Sequence, residues 1–138
     1  MVTTPAGKPV AMVHCNNCTN ELNAWAAIFQ GFLEELGQKM GQGPILDAMF
    51  HAALSGDKDG GGTVVYNFLS GEPVAGMTAG RPLLARTVEA KFNFANFSRV
   101  QLYSALASLK LGLDILNRED VALDRLLGHG GYFKAPEA

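Results

Sequence analysis

The stretch FANFSRVQLYSALASLKLGLDIL, residues 94–116, carries the longest regular pattern in this sequence. Apolar residues recur in it at intervals of three and four positions, which is typical of a helix with one apolar face. Asn93 stands directly before the stretch and is a suitable N-cap residue. We therefore predict one long helix that turns an apolar stripe toward the core. The stripe consists of Phe94, Phe97, Val100, Leu102, Leu106, Leu109, Leu113 and Leu116.

The rest of the chain predicts two more helices and three strands. Apolar residues with helical spacing cover residues 21–36 and 45–54, and runs typical of strands cover residues 10–14, 63–69 and 121–127. The inward stripe predicted for the first helix consists of Leu22, Trp25, Ala26, Phe29, Phe32, Leu33 and Leu36. We expect an α/β domain in which helices cover a parallel or mixed sheet of few strands.

Composition and charge exclude several classes of protein. The chain has 138 residues, about one domain by length, and 48% of its residues are hydrophobic. Its formal net charge of −2 argues against nucleic acid and anionic membranes as partners, because phosphate groups select basic surfaces. The first residues lack the pattern of a signal peptide, and no apolar run is long enough to span a bilayer. We therefore expect a cytoplasmic protein with no membrane or nucleic-acid partner.

The last predicted strand runs directly into Gly128-His129-Gly130-Gly131. Glycine lets the backbone approach a ligand closely, and the carboxyl ends of strands are common nucleotide sites in α/β sheets. The cluster is not a Walker A loop, and Phe133 at the sixth position breaks the G-x-G-x-x-G pattern. From the residues alone, a ligand cradle and a plain tight turn both remain open.

Cys15 and Cys18 stand between the first predicted strand and the first predicted helix. This layout occurs in thioredoxin-like redox sites, where a helix N-terminus lowers the pKa of a thiol. A zinc site would need two further ligands, and His14, His51 and His129 are unpaired in the sequence. A redox pair, a metal site and two ordinary residues near a helix start all remain open.

Two acidic features are interpreted as surface groups. Residues 57–60, Asp-Lys-Asp-Gly, resemble the start of a calcium loop, but Phe68 stands where the loop needs its glutamate. We interpret these residues as a solvated turn. Glu72 has no partner in the sequence, so it is interpreted as a surface acid or a cap.

Three short motifs follow one another along the chain: residues 66–73 (YNFLSGEP), residues 111–116 (LGLDIL) and residues 124–131 (DRLLGHGG). Together they resemble the FGGY family of carbohydrate kinases, especially its xylulose-kinase-like members. The first is similar to the family's Tyr-Leu-Ser-Gly-Glu stretch, the second to its second signature region, and the third to its adenosine motif. Residues 5–25 resemble the strand and helix that precede these motifs in the family. The resemblance covers nearly the whole chain.

The resemblance implies part of an ATP-dependent sugar kinase with the actin-like, ribonuclease-H-like fold. The chain would be a partial C-terminal, nucleotide-binding domain, with ATP or ADP as its partner and ATP and Mg²⁺ as cofactors of the intact enzyme. His129 departs from the glycine that is commoner at its position. The residues that the resemblance brings to the nucleotide are Gly128, His129, Gly130, Gly131, Tyr132 and Phe133 at the adenosine, and Asn17, Asn20 and Asn23 facing the phosphates.

The resemblance also implies what the chain does not contribute. The family's N-terminal domain, with its phosphate loop, sugar contacts and catalytic Asp, would precede residue 1, and a second adenine contact would follow residue 138. Phosphoryl transfer needs the acceptor, the metal ion and a base held together. We therefore expect no catalytic residue here, no activity of the chain alone, and self-association through uncovered apolar surface. A catalytically dead interaction module and a thioredoxin-like redox protein that uses Cys15 and Cys18 are the alternatives.

Overall fold

The computed structural model describes residues 2–130 and residue 133. Its helices are α1 (Asn20–Glu35), α2 (Gln42–Leu54) and α3 (Phe94–Arg118). Its strands form two separate antiparallel pairs, β1 (Val2–Thr3) with β2 (Pro9–Val10) and β3 (Thr63–Tyr66) with β4 (Leu83–Arg86). Two 3-10 turns, Gly60–Gly62 and Pro73–Ala75, lie before and after β3. The described part is thus a small α/β structure with three helices and little sheet.

The three predicted helices are confirmed, with small shifts at their ends. The predicted cap of the long helix is also present, because the Asn93 side chain accepts a hydrogen bond from the Asn96 backbone N–H at 2.9 Å. In contrast, Thr19 at the start of α1 makes no side-chain cap. None of the helices in the described part has the length and apolar composition needed to cross a bilayer.

The predicted parallel or mixed sheet is not formed by the described residues. β2 contains only Val10 of the first predicted strand, and residues 11–15 continue without strand pairing. Residues 121–127 form no strand, and all of residues 121–130 are exposed. A strand needs hydrogen-bond partners along its backbone, and residues 122–130 have none in the described part. The prediction of a last strand was therefore wrong, and the actin-like architecture stays a prediction.

The buried face of α3 is not the predicted leucine stripe. Phe97 and Val100 are buried as predicted, whereas Phe94 is 44% exposed and the leucines of the stripe are only half-buried. Small and polar side chains allow neighbouring segments to approach a helix closely. A buried face made of such residues cannot be detected from the spacing of apolar residues. The residues of α3 that are buried are Asn96, Phe97, Ser98, Val100, Gln101, Ser104, Ala105, Ser108 and Gly112.

The apolar core lies where the three helices meet. Trp25 packs edge-on against Phe97 with ring centroids 4.8 Å apart, and Phe29 lies 5.9 Å from the same ring. Such aromatic pairs add about 0.5–1.5 kcal/mol beyond burial. Phe32 and Leu36, predicted to point inward from the second half of α1, are instead 62% and 60% exposed. Self-association through exposed apolar surface stays a prediction.

Candidate functional site

A pair of buried asparagines joins the turn before α1 to the loop after β3. Asn17 and Asn67 are each 2% exposed. The Asn17 side chain donates to the Gly71 carbonyl at 2.7 Å and accepts from the Ser70 N–H at 2.8 Å. Asn67 Nδ2 donates in turn to the Asn17 carbonyl at 2.9 Å. Because an unpaired buried polar group costs about 1–3 kcal/mol, these bonds fix the turn and the loop relative to each other.

Glu72 adds a second connection, and it reaches α3. Its side chain is 1% exposed, and Oε2 accepts from the Asn16 N–H at 3.1 Å and from the Ser108 hydroxyl at 3.3 Å. The Ser108 oxygen lies 2.9 Å from the Cys15 sulfur. Oε1 has no hydrogen-bond partner among the described residues. The interpretation of Glu72 as a surface acid was wrong, because the residues that bury it are distant in sequence.

Two glycines of the motifs are explained by close packing. Gly71 has a φ of 70°, and a Cβ there would meet the backbone carbonyl of Thr78. Gly112 is buried within α3, and a Cβ there would fall on the methyl groups of Val13. Residues 11–15 therefore cross α3 at Gly112, close to the contact between Cys15 and Ser108.

An open pocket of 410 Å³ lies between the turn and the loop, and Asn16, Ser70, Pro73, Gly76, Met77 and Thr78 line it. Its walls are held by the bonds described above. Met77 is fixed further, because its N–H and carbonyl both bond to the backbone of Glu72, at 3.1 and 2.8 Å. The pocket is therefore a preformed concavity whose lining carries no charged side chain.

The three asparagines predicted to face phosphates lie in different environments. The Asn17 side-chain amide is hydrogen-bonded to Ser70 and Gly71 of the loop, as described above. Asn20 Nδ2 donates to the Ser70 hydroxyl at 3.1 Å, at the edge of the same loop. Asn23 is exposed on α1. The structure brings Asn17 and Asn20 together at the loop and leaves Asn23 apart.

The predicted adenosine residues lie elsewhere, beyond α3. Gly128, His129 and Gly130 are exposed, and the described residues form no strand that leads into them. Phe133 covers Gly128, because a Cβ there would meet its ring. Gly131 and Tyr132 lie outside the described residues. No hydrogen bond within the described ranges joins residues 128–130 to the turn before α1.

The two thiols face α3 and are free. Cys18 donates to the Ala105 carbonyl at 3.7 Å. Burial is the main cause that raises the pKa of Cys15, against the effect of the Ser108 hydrogen bond, and burial likewise raises the pKa of Cys18. A redox motif needs the opposite shift, because the thiolate is the reactive form. Across residues 2–130 and 133, no three His, Cys, Asp or Glu side chains are grouped to hold a metal ion.

The turn at residues 57–60 is tied to the start of α3. The Asp57 carboxylate accepts from Asn96 Nδ2 at 3.2 Å and lies 3.4 Å from Lys91 Nζ. These contacts, first the Asn96 hydrogen bond and then Lys91, lower the pKa of Asp57. The Asn96 side chain also donates to the Lys91 carbonyl at 2.8 Å.

The sequence analysis did not identify Asn67, Asn96 and Ser108 as structurally important. The only sign of them in the sequence is that they are polar residues within otherwise apolar runs.

Comparison with protein families gives the class of protein. Residues 1–138 match the model of the FGGY family of carbohydrate kinases, C-terminal domain. The chain therefore belongs to the FGGY family, as its motifs predicted. Comparison with curated proteins gives no match, and neither does comparison with solved structures.

Proposed function

We propose that the chain contributes the adenosine-binding side of an ATP-dependent carbohydrate kinase with the actin-like fold. The observation that carries the proposal is the family match over residues 1–138. The reaction would move a phosphoryl group from ATP to a sugar hydroxyl, with Mg²⁺ in the intact enzyme and a xylulose-like sugar as acceptor. A cytoplasmic location is part of the same proposal.

The adenosine would bind at the exposed glycine cluster beyond α3. Gly130 has a φ of 117°, and open space surrounds the position of its missing Cβ. A ligand can therefore approach its backbone closely. Phe133, which covers Gly128, offers an aromatic ring to a purine. His129, Gly131 and Tyr132 complete the proposed adenosine set.

The start of α1 would face the phosphates. Its first turn lacks a side-chain cap, and free N–H groups with the helix dipole favour an anion there. Asn20 and Asn23 would be the contacting side chains. Asn17 would act indirectly, since its amide already holds Ser70 and Gly71.

The sugar contacts, the catalytic base and the metal ligands would come from the other domain of the intact kinase. Phosphoryl transfer requires these parts to be positioned together. We therefore expect the purified chain, mixed with Mg-ATP and D-xylulose, to release no ADP in a coupled assay. Release above the rate without sugar would contradict this part of the proposal.

The central test is a titration of the chain with ADP, followed by amide chemical shifts and by melting temperature. We expect shifts at residues 128–130 and a saturating rise in melting temperature, because a ligand that binds only the folded state stabilises it. Gly130→Ala should weaken binding, since its Cβ projects into the open space that the nucleotide would use.

Gly37→Ala is the matched control, because Gly37 also has a positive φ, 75°, and open space at its Cβ position, and it lies after α1. It should leave the ADP titration unchanged. If saturating ADP moves neither the amide shifts of residues 128–130 nor the melting temperature, the chain does not hold the nucleotide and the proposal fails.

A further inference from the structure

Two cysteines that the proposed function does not use lie together against α3. Cys15 and Cys18 are free and half-buried, so a small reagent can reach them from solvent. We propose that they form a covalent modification site, at which a low-molecular-weight disulfide converts the two thiols into one intramolecular disulfide. The proposal goes beyond the proposed function, because it needs neither a nucleotide nor a sugar.

The two sulfur atoms meet α3 at nearly the same height along the helix. Cys15 Sγ lies 2.9 Å from the Ser108 hydroxyl oxygen, and Cys18 Sγ lies 3.7 Å from the Ala105 carbonyl oxygen. A helical carbonyl points along the axis toward the N–H four positions later, so the Ala105 oxygen lies beside the turn that carries Ser108. After burial, the charge of Cys15 is the next cause that raises the pKa of Cys18. The two sulfurs are therefore close neighbours.

The backbone between the cysteines suits a short disulfide ring. Residues 16–19 form a turn that starts directly after Cys15. Residues three positions apart across a turn have α-carbons less than about 7 Å apart, and disulfides span about 4.4–6.8 Å between α-carbons. The chain contains two cysteines in all, so within one molecule each is the only thiol partner of the other.

The chemistry consists of two thiol–disulfide exchanges. The thiolate of one cysteine attacks a sulfur of the reagent, whose S–S bond breaks and releases one half as a thiolate. The second cysteine thiolate then attacks the protein sulfur of this mixed disulfide, forms the Cys15–Cys18 bond and releases the other half. Two electrons pass from the cysteines to the reagent, and the two thiol protons end on the two released halves.

The environment of the thiols distinguishes this site from a catalytic redox motif. Burial is the main cause that raises the pKa of both Cys15 and Cys18. Because only the thiolate attacks a disulfide, the exchange is slow at neutral pH. A pair that exchanges slowly and reversibly stores a redox state instead of turning over a substrate.

The two residues between the cysteines are the ones that hold the loop after β3. The Asn16 N–H donates to Glu72 at 3.1 Å, and the Asn17 side chain bonds to Ser70 and Gly71 at 2.8 and 2.7 Å. A disulfide would close a ring around Asn16 and Asn17 and would remove the thiol hydrogen that reaches the Ala105 carbonyl. Oxidation should therefore change the environment of residues 70–72.

The test uses glutathione disulfide as the reagent and the full chain in its reduced form. Mixtures of glutathione disulfide and glutathione are equilibrated with the chain, quenched with acid and analysed by intact mass. We expect a product that is lighter by two hydrogen atoms, carries no glutathione and has no thiol left to alkylate. Glutathione retained in the final product, a disulfide between two chains, or no reaction would overturn the proposal.

The same chain unfolded in urea is the reference for the contribution of the fold. Because the turn and α3 already bring the sulfurs together, the folded chain should require about fivefold less glutathione disulfide for half-oxidation. Equal requirements in the folded and unfolded chain would mean that the pairing comes from the sequence spacing alone, and the proposal of a built site would fail.

Two conservative variants assign the chemistry to the pair. Cys15→Ser and Cys18→Ser should each stop at a mixed disulfide that retains one glutathione, and circular dichroism checks that both variants fold. Loss of two hydrogen atoms from either variant would contradict the assignment.

Amide shifts test the connection to the loop. In the unsubstituted chain, oxidation should shift the amides of residues 70–72, and dithiothreitol should reverse the change. The exposed residues 121–127 are the internal control and should not respond. Unmoved amides at residues 70–72 in the oxidised chain would overturn the coupling between the cysteines and the loop.

Discussion

The loop at residues 67–72 and the segment at residues 121–130 carry the same kind of sequence signal. Each overlaps a predicted strand, residues 63–69 or residues 121–127, and contains glycine within a family motif. In the structure the loop is anchored by buried Asn67 and Glu72, which are 2% and 1% exposed. The segment is exposed throughout, and beyond Val121 it makes no backbone hydrogen bond to the described residues.

The difference teaches that a glycine motif specifies backbone freedom but not its environment. Gly71 is glycine because the Thr78 carbonyl approaches it, whereas Gly130 has open space around it. The first glycine serves packing within the chain. The second is available to a ligand, which is the property that the proposed nucleotide site requires.

The largest expected effect on stability comes from removing the Glu72 carboxylate, which holds the loop at residues 67–72 in place. Glu72→Ala removes the acceptor of the partly buried Asn16 N–H and of the buried Ser108 hydroxyl. We expect a loss of about 2–4 kcal/mol in the free energy of unfolding, measured by urea denaturation. Asp124→Ala, an exposed acid in residues 121–130, should change it by less than about 0.5 kcal/mol.

Equal effects of the two substitutions would remove the contrast between the loop and the segment. A loss confined to Asp124→Ala would reverse it and would mean that the C-terminal segment is the one held by packing. The unchanged slope of the urea transition serves as a check that both variants still unfold in the same manner.

The second effect concerns the asparagine pair. Asn17→Ala leaves the Gly71 carbonyl and the Ser70 N–H without their partner, so we expect a loss of about 2–3 kcal/mol. Asn23→Ala, on the exposed side of α1, should cost less than about 0.5 kcal/mol. Thermal unfolding followed by circular dichroism measures both. A similar shift for the two variants would contradict the structural role of Asn17.

The third effect separates a packing glycine from an ordinary helical one. Gly112→Ala places a methyl group against Val13, and overpacking should outweigh the gain in helix propensity to give a net loss of about 1–2 kcal/mol.

Gly31→Ala is the matched change in α1, where no atom lies within 4 Å of the new Cβ. It should stabilise the chain by about 0.5–1 kcal/mol, since alanine is the better helix former. Parallel urea curves of the two variants test the opposite signs. Stabilisation by both would mean that residues 11–15 do not cross α3 at Gly112.

The smallest effect is a pH dependence at the turn before β3. Hydrogen bonding from Asn96 and the charge of Lys91 lower the pKa of Asp57 in the folded state. Its contribution to stability is therefore present above the unfolded pKa of about 3.9, and is lost as the pH falls through the lower folded pKa. Asp57→Asn should lower the melting temperature at pH 7, and its difference from the unsubstituted chain should shrink as the pH falls through the folded pKa of Asp57.

Lys91→Met should raise the pKa of Asp57, as followed by carboxyl chemical shifts. Asp47→Asn, an exposed carboxylate on α2, is the control, and its effect should not follow the titration of Asp57. A pKa of Asp57 that Lys91→Met leaves unchanged would show that the ion pair is not formed in solution.

Much of the helical structure could be predicted, because apolar spacing and caps are local signals. Asn93 capped α3 as expected, and the aromatic residues of α1 and α3 met in the core. The sheet could not be predicted, because a strand depends on hydrogen bonds to a partner strand that need not be near it in the sequence. The site was predicted in part: the motif residues were found, but Glu72 was assigned to the surface.

The sequence by itself determined the family, the three helices and the positions where backbone freedom is needed, since each is written in residue type and spacing. Only the tertiary structure decided that α3 buries a face of small and polar residues, that Asn17 holds a loop, and that Glu72 is enclosed. The physical reason is that buried polar residues are stabilised by hydrogen bonds between segments that are distant in the sequence. Local sequence patterns indicate only which apolar residues face the interior.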